Sequence, residues 1–121
     1  MRSSDVAVPA SLSGTYLEPD ESFMRRLAGD RATLAKIAAA WSGGLNKSDL
    51  ARTEVVAHKL AGAAGVFGLQ ALGSAAALLE AYAQELRGLW PLGAELSSVP
   101  LRDLLAALDG VLEKNPTHGN L

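Results

Sequence analysis

The sequence predicts an all-α fold, an up-down antiparallel four-helix bundle with a short extra N-terminal helix. Three observations carry this expectation. Nearly half of the 121 residues are apolar, but most of these are Ala and Leu and only 5% of the chain is aromatic. Ala and Leu lose little side-chain entropy in a helix, whereas a β-sandwich draws on Val, Ile, Thr and Tyr. Apolar residues also recur at three- and four-residue spacing along successive stretches, the period of one helix face. The breaks between them are mostly short, and short connections set consecutive helices antiparallel. The length suits one domain with a single core.

Taken in order, residues 1–18 are rich in Ser, Pro and small residues without a sustained period and read as a flexible leader. Pro19 and Asp20 open a helical stretch with Phe23 and Leu27 on one face, and Gly29-Asp30 reads as a stop followed by a new N-cap. A second helix is then expected from Arg31 to about Trp41, burying Leu34, Ile37 and Trp41. One bent helix over 20–41 is the alternative, since an internal Gly costs only about 1 kcal/mol. Ser42-Gly43-Gly44 ends it. Ser48 is the expected N-cap of the next helix, over 49–67, with Asp49 in its first turn and Gly68 as C-cap or turn residue. Leu50, Ala57, Leu60, Ala61, Ala64 and Phe67 form its stripe, and Leu72, Ala75, Ala76, Leu79, Ala83 and Leu86 form that of a helix over 69–88. A loop at Trp90-Pro91 and Gly93 precedes the last helix, announced by Ser97, Ser98 and Pro100 and carrying Leu101, Leu104, Leu105, Leu108 and Leu112. Asn115-Pro116 closes the 19–115 bundle, leaving a polar tail over 116–121.

Composition excludes several classes. The net charge of −2 speaks against a nucleic-acid binder. The chain has no Cys, which removes disulfides, thiolate nucleophiles and Cys-based metal sites. No stretch has the length and hydropathy of a signal peptide or a membrane span, so a cytoplasmic location and no membrane partner are expected. Glu54 and His58 have the i, i+4 spacing of some metal sites, but His118 is the only other histidine; a three- or four-ligand site cannot readily assemble. Neither a metal nor a cofactor is therefore expected.

The informative stretch surrounds His58. Residues three, four and seven positions away share its face, and these are Ala51, Glu54, Val55, Ala61, Gly62 and Gly65. The apolar stripe of the same helix is centred roughly 130° away at 3.6 residues per turn, so His58 belongs at the edge of the buried face or outside it. A helical glycine costs roughly 0.5–1 kcal/mol relative to alanine. Two on one face call for close packing of a neighbouring helix, or for leaving the imidazole bare to a second protein. With an ordinary pKa near 6.5, imidazole is mostly neutral at cytosolic pH and has a ring nitrogen free to act as a nucleophile. Lys59, Arg52 and Lys47 are the nearby cations that could favour an anionic group there.

His58-Lys59-Leu60-Ala61-Gly62-Ala63-Ala64, followed by Gly65, Gly68, Leu72 and Leu79-Glu80, resembles the histidine phosphotransfer (HPt) domain. The resemblance spans about residues 20–114, with its specific motif within about 54–80. It implies a phosphorelay intermediate: His58 would accept a phosphoryl group from a receiver-domain aspartyl phosphate and pass it to another receiver aspartate. The implied partners are receiver domains of response regulators and hybrid histidine kinases, which would supply the catalytic Mg²⁺ and aspartate. The chain would be a carrier rather than an enzyme, and a monomer by default. Partner contacts would fall on Lys59, Arg52, Lys47, Ala61, Gly62 and Gly65. Members of the family commonly have a lysine three residues after the histidine; Ala61 stands there in this sequence, and Lys59 is the nearest replacement. The alternative is a degenerate HPt-like module that binds a receiver without accepting phosphate. A histidine kinase core would require an ATP-binding domain with Gly-rich and Asn-containing boxes, which this sequence lacks.

Overall fold

The computed structural model describes residues 19–41, 45–90 and 96–114; the expected leader and tail and the Pro91–Gly93 part of the loop lie outside these residues. Four helices follow one another: α1 (Glu21–Ala40), α2 (Lys47–Phe67), α3 (Gln70–Gly88) and α4 (Val99–Lys114).

Cross-helix contacts define the topology. Phe23 stacks on Phe67 and Lys59 acts electrostatically on Asp30, so α1 and α2 run in opposite directions. His58 meets Glu80 and Glu54 meets Arg87, which sets α3 antiparallel to α2. Ser97 N–H donates to the Tyr82 hydroxyl, while Leu72 lies near Gly110 at the other end of α4. Trp41 Nε1 donates to the Ser97 carbonyl and Arg31 pairs with Asp109, closing α4 antiparallel on α1. The expected all-α up-down bundle is therefore the fold.

Among the described residues no separate short helix precedes the bundle: α1 continues unbroken through Gly29 and Asp30, as in the one-helix alternative over 20–41. Asp20 caps it, accepting from the Phe23 N–H at 2.8 Å. Phe23, Met24 and Leu27 before the glycine and Leu34 and Ile37 after it bury into one core. Burial of several large side chains, each contributing about 1.5–3 kcal/mol, outweighs one internal glycine. The start of α2 also differs: Asn46, not Ser48, is the N-cap. Its side chain accepts from Asp49 N–H at 2.8 Å, while the Asp49 carboxylate accepts from Asn46 N–H at 3.2 Å. This reciprocal box satisfies two otherwise orphaned donors, which Ser48 could not do. Gly68 is the C-cap, at φ 68°, a left-handed conformation that disfavours any residue with a Cβ.

The core is built from Leu, Ile, Met and Phe of α1 with Leu and Ala of α2 and α3 and Leu101, Leu104 and Leu108 of α4. Of the expected stripe positions, Ala61, Phe67, Ala75, Leu105 and Leu112 are only partly buried. Thr53 is buried as well, its hydroxyl donating to the Asp49 carbonyl at 2.8 Å.

Candidate functional site

The α2–α3 seam is lined by small residues. Ala57, Ala64, Ala76 and Ala83 are buried along it, and a Cβ on Gly73 would come within 3.3 Å of Ala64 Cβ. Small side chains allow the helix backbones to approach closely, so side chains on one helix reach across to the other. Glu80 does this. Its Oε2 lies 2.8 Å from His58 Nδ1.

The two partners differ in exposure: the His58 side chain is 77% exposed and that of Glu80 only 21%. A carboxylate can only accept, so in neutral imidazole the shared proton belongs on Nδ1 and the Nε2 lone pair is free. The ring is thereby fixed in tautomer and orientation by one contact and open to solvent.

On the C-terminal side of the ring the surface is bare. Gly62 and Gly65 are exposed, and nothing lies within 4 Å of a Cβ built on either. Packing within the chain therefore does not call for glycine at these positions. Ala61 is half-buried at the seam, where it lines a shallow hollow with Gly65, Gly73, Ser74 and Ala77. Its methyl group offers no charge to the site.

The expected cations do not gather at His58. Lys59 is exposed and, with Arg26 and Asp30, lines a groove between α1 and α2. Burial raises the Asp30 carboxyl above its usual range, and the positive fields of Lys59 and Arg26 only partly offset this. Lys47 occupies the first turn of α2, eleven residues before His58 and so about 16 Å away along the axis at 1.5 Å per residue. Arg52 is exposed on α2.

On α3, Glu80 is followed at helical spacing by Gln84 and Arg87. Gln84 Nε2 donates to Glu54 Oε2 at 3.0 Å, and Arg87 Nε donates to Oε1 at 2.9 Å, with Nη2 2.6 Å from the same oxygen. The Glu54 carboxyl is held below its usual range, chiefly by the Gln84 hydrogen bond, with Arg87 and the nearby His58 adding to it against partial burial. The roles of Gln84 and Arg87 were not foreseen from the sequence, although the i, i+4, i+7 spacing of Glu80, Gln84 and Arg87 already marks a polar stripe. Among the described residues, no group of three or more His, Asp or Glu could hold a metal ion, and no helix is long and apolar enough to cross a membrane.

A bundle with an accessible histidine midway along its second helix has the form of a helical phosphotransfer module. A family model, described as Hpt domain, matches residues 22–111, about three quarters of the chain. The chain belongs to the Hpt domain family, whose members are phosphocarrier modules of two-component systems that interact with receiver domains. No curated protein and no solved structure matches the chain.

Proposed function

We propose that His58 is the phosphoacceptor of a phosphorelay intermediate, taking a phosphoryl group from one receiver aspartate and delivering it to another. The observation that carries this reading is the 2.8 Å contact from Nδ1 to Glu80 on a ring that is otherwise open. Nε2 attacks phosphorus in line; the Nε2–P bond forms as the P–O bond to the receiver aspartate breaks, and the aspartate leaves as a carboxylate. The proton on Nδ1 stays in place, so the ring acquires positive charge as phosphorus transfers. Glu80 faces that developing charge from a fixed position, where a preorganised group is most effective. The reverse step returns the phosphoryl group to a second aspartate and restores neutral imidazole.

Phosphoryl transfer depends mainly on positioning and charge stabilisation. The bare surface at Gly62 and Gly65 supports the first, because a receiver's backbone can approach the ring from its C-terminal side without meeting side chains there. Mg²⁺ and the acceptor aspartate belong to the receiver. Ala61 favours a second reading, in which the module docks a receiver without accepting phosphate.

One assay separates the two. Incubated with a phosphorylated receiver domain and Mg²⁺, the chain should gain an acid-labile, base-stable phosphate, and His58→Gln should gain none. Label retained by His58→Gln, or none on the wild type with its cognate receiver, rules the relay reading out.

A further inference from the structure

No lysine stands at Ala61, Lys59 lines the groove toward α1, Arg52 lies six residues before His58 and so about 120° round the helix, and Lys47 is remote, so α2 does not gather a cation beside the ring. The α3 side does present one. Glu54 precedes His58 by one turn on the same face, and a carboxylate there repels the phosphoryl oxygens that gather at Nε2. Glu80 carries charge of the same sign but faces the positive side of the reaction through Nδ1. Both oxygens of Glu54 are instead engaged across the seam, Oε2 by Gln84 and Oε1 by Arg87. The Arg87 side chain is 43% exposed and that of Glu54 only 19%, so the guanidinium reaches in from solvent to a carboxylate held at the seam.

We propose that Arg87, assisted by Gln84, is a positioning residue for phosphoryl transfer. It holds Glu54 neutralised against α3, so that a phosphoryl group can form on Nε2 without an unpaired negative charge one turn away. The inference rests on His58 being the phosphoacceptor. Arg87 acts through Glu54, and this separates it from a simple interhelical tie. If the pair only ties α2 to α3, removing either partner has the same effect. If Arg87 offsets the charge of Glu54, removing Glu54 makes Arg87 dispensable.

The test uses the full chain with phosphoramidate, an anionic donor whose P–N bond breaks to release ammonia as the Nε2–P bond forms. Uptake is followed by ³¹P NMR, and folding of each variant by circular dichroism. Arg87→Ala should take up phosphate about five- to tenfold more slowly, the range expected when one partly screened charge is left unpaired. Arg87→Lys should recover much of the rate, Glu54→Gln should match or exceed the wild type, and Glu54→Gln/Arg87→Ala should behave like Glu54→Gln alone. Arg87→Ala at the wild-type rate, or Glu54→Gln as slow as Arg87→Ala, overturns the proposal. If the wild type takes none from phosphoramidate, the same variants are compared with a phosphorylated receiver and Mg²⁺ as donor, and a wild type that takes phosphate from neither overturns the relay reading and this inference with it.

Discussion

Two seams of the bundle differ in what they are built from. Along α1 and α4, Leu34, Ile37 and Trp41 bury with Leu101, Leu104 and Leu108, and the polar crossings are Arg31 to Asp109 and Trp41 Nε1 to the Ser97 carbonyl. Along α2 and α3 the buried residues include four alanines, and the polar crossings are His58 to Glu80 and Glu54 to Gln84 and Arg87. Bulky side chains supply apolar burial, whereas small ones bring backbones together and let a glutamate on one helix orient an imidazole on the other. The glycines divide in the same way. Gly73 sits against Ala64, whereas Gly62 and Gly65 face open space, so close packing accounts for the first and not for the other two, which under the proposed function keep the way to His58 open.

The largest expected effect lies in the bulky seam. Leu104→Ala should cost about 2–5 kcal/mol, the usual range for emptying a full leucine site, measured by denaturant unfolding. If it costs no more than a surface substitution, the seam does not carry the stability assigned to it. Gly62→Ala and Gly65→Ala should do the opposite, each stabilising by about 0.5–1 kcal/mol as a helical glycine is removed and raising the melting temperature. Both should nevertheless slow transfer from a phosphorylated receiver, because their methyl groups stand beside the ring. A variant that loses stability would mean that the open space is needed by the fold.

The smallest effects concern charge. Arg31 holds the Asp109 carboxyl below its usual range, first by hydrogen bond and then by its field, and Glu54 is lowered as well. A lowered folded-state pKa contributes stability at neutral pH that is lost as pH falls from the ordinary carboxylate range, about 4, downward. Because the Asp109 pair is exposed to solvent, the loss is modest, and Arg31→Ala should cost under about 1 kcal/mol. Asp30 works in the other direction: burial raises its carboxyl, so acidification relieves a strain of the folded state. Asp30→Asn should therefore be more stable than wild type at neutral pH and show a steeper acid loss. Equal acid profiles for the two proteins would contradict that sign.

The core was legible because its periodicity is strong: Leu72, Ala76, Leu79, Ala83 and Leu86 were expected on one face of α3 and are buried there. Helix ends were less legible because each depends on a local competition. Asn46 and Ser48 are both good caps, and only the reciprocal bond with Asp49 decides between them; Gly29 looked like a stop until the burial on both sides of it outweighed its cost. His58 stood out through its neighbouring glycines. Its contact with Glu80 and the grip of Arg87 on Glu54 did not, because they depend on how closely and at what rotation α2 and α3 meet, which the small residues of both helices determine jointly.

The claim that His58 presents Nε2 as the nucleophile is tested most directly by NMR of the ¹⁵N-histidine-labelled chain after phosphorylation by a receiver. The account predicts phosphorus bonded to Nε2 of His58, with Nδ1 still protonated beside Glu80. Phosphorus on Nδ1, or on any other residue, would contradict it.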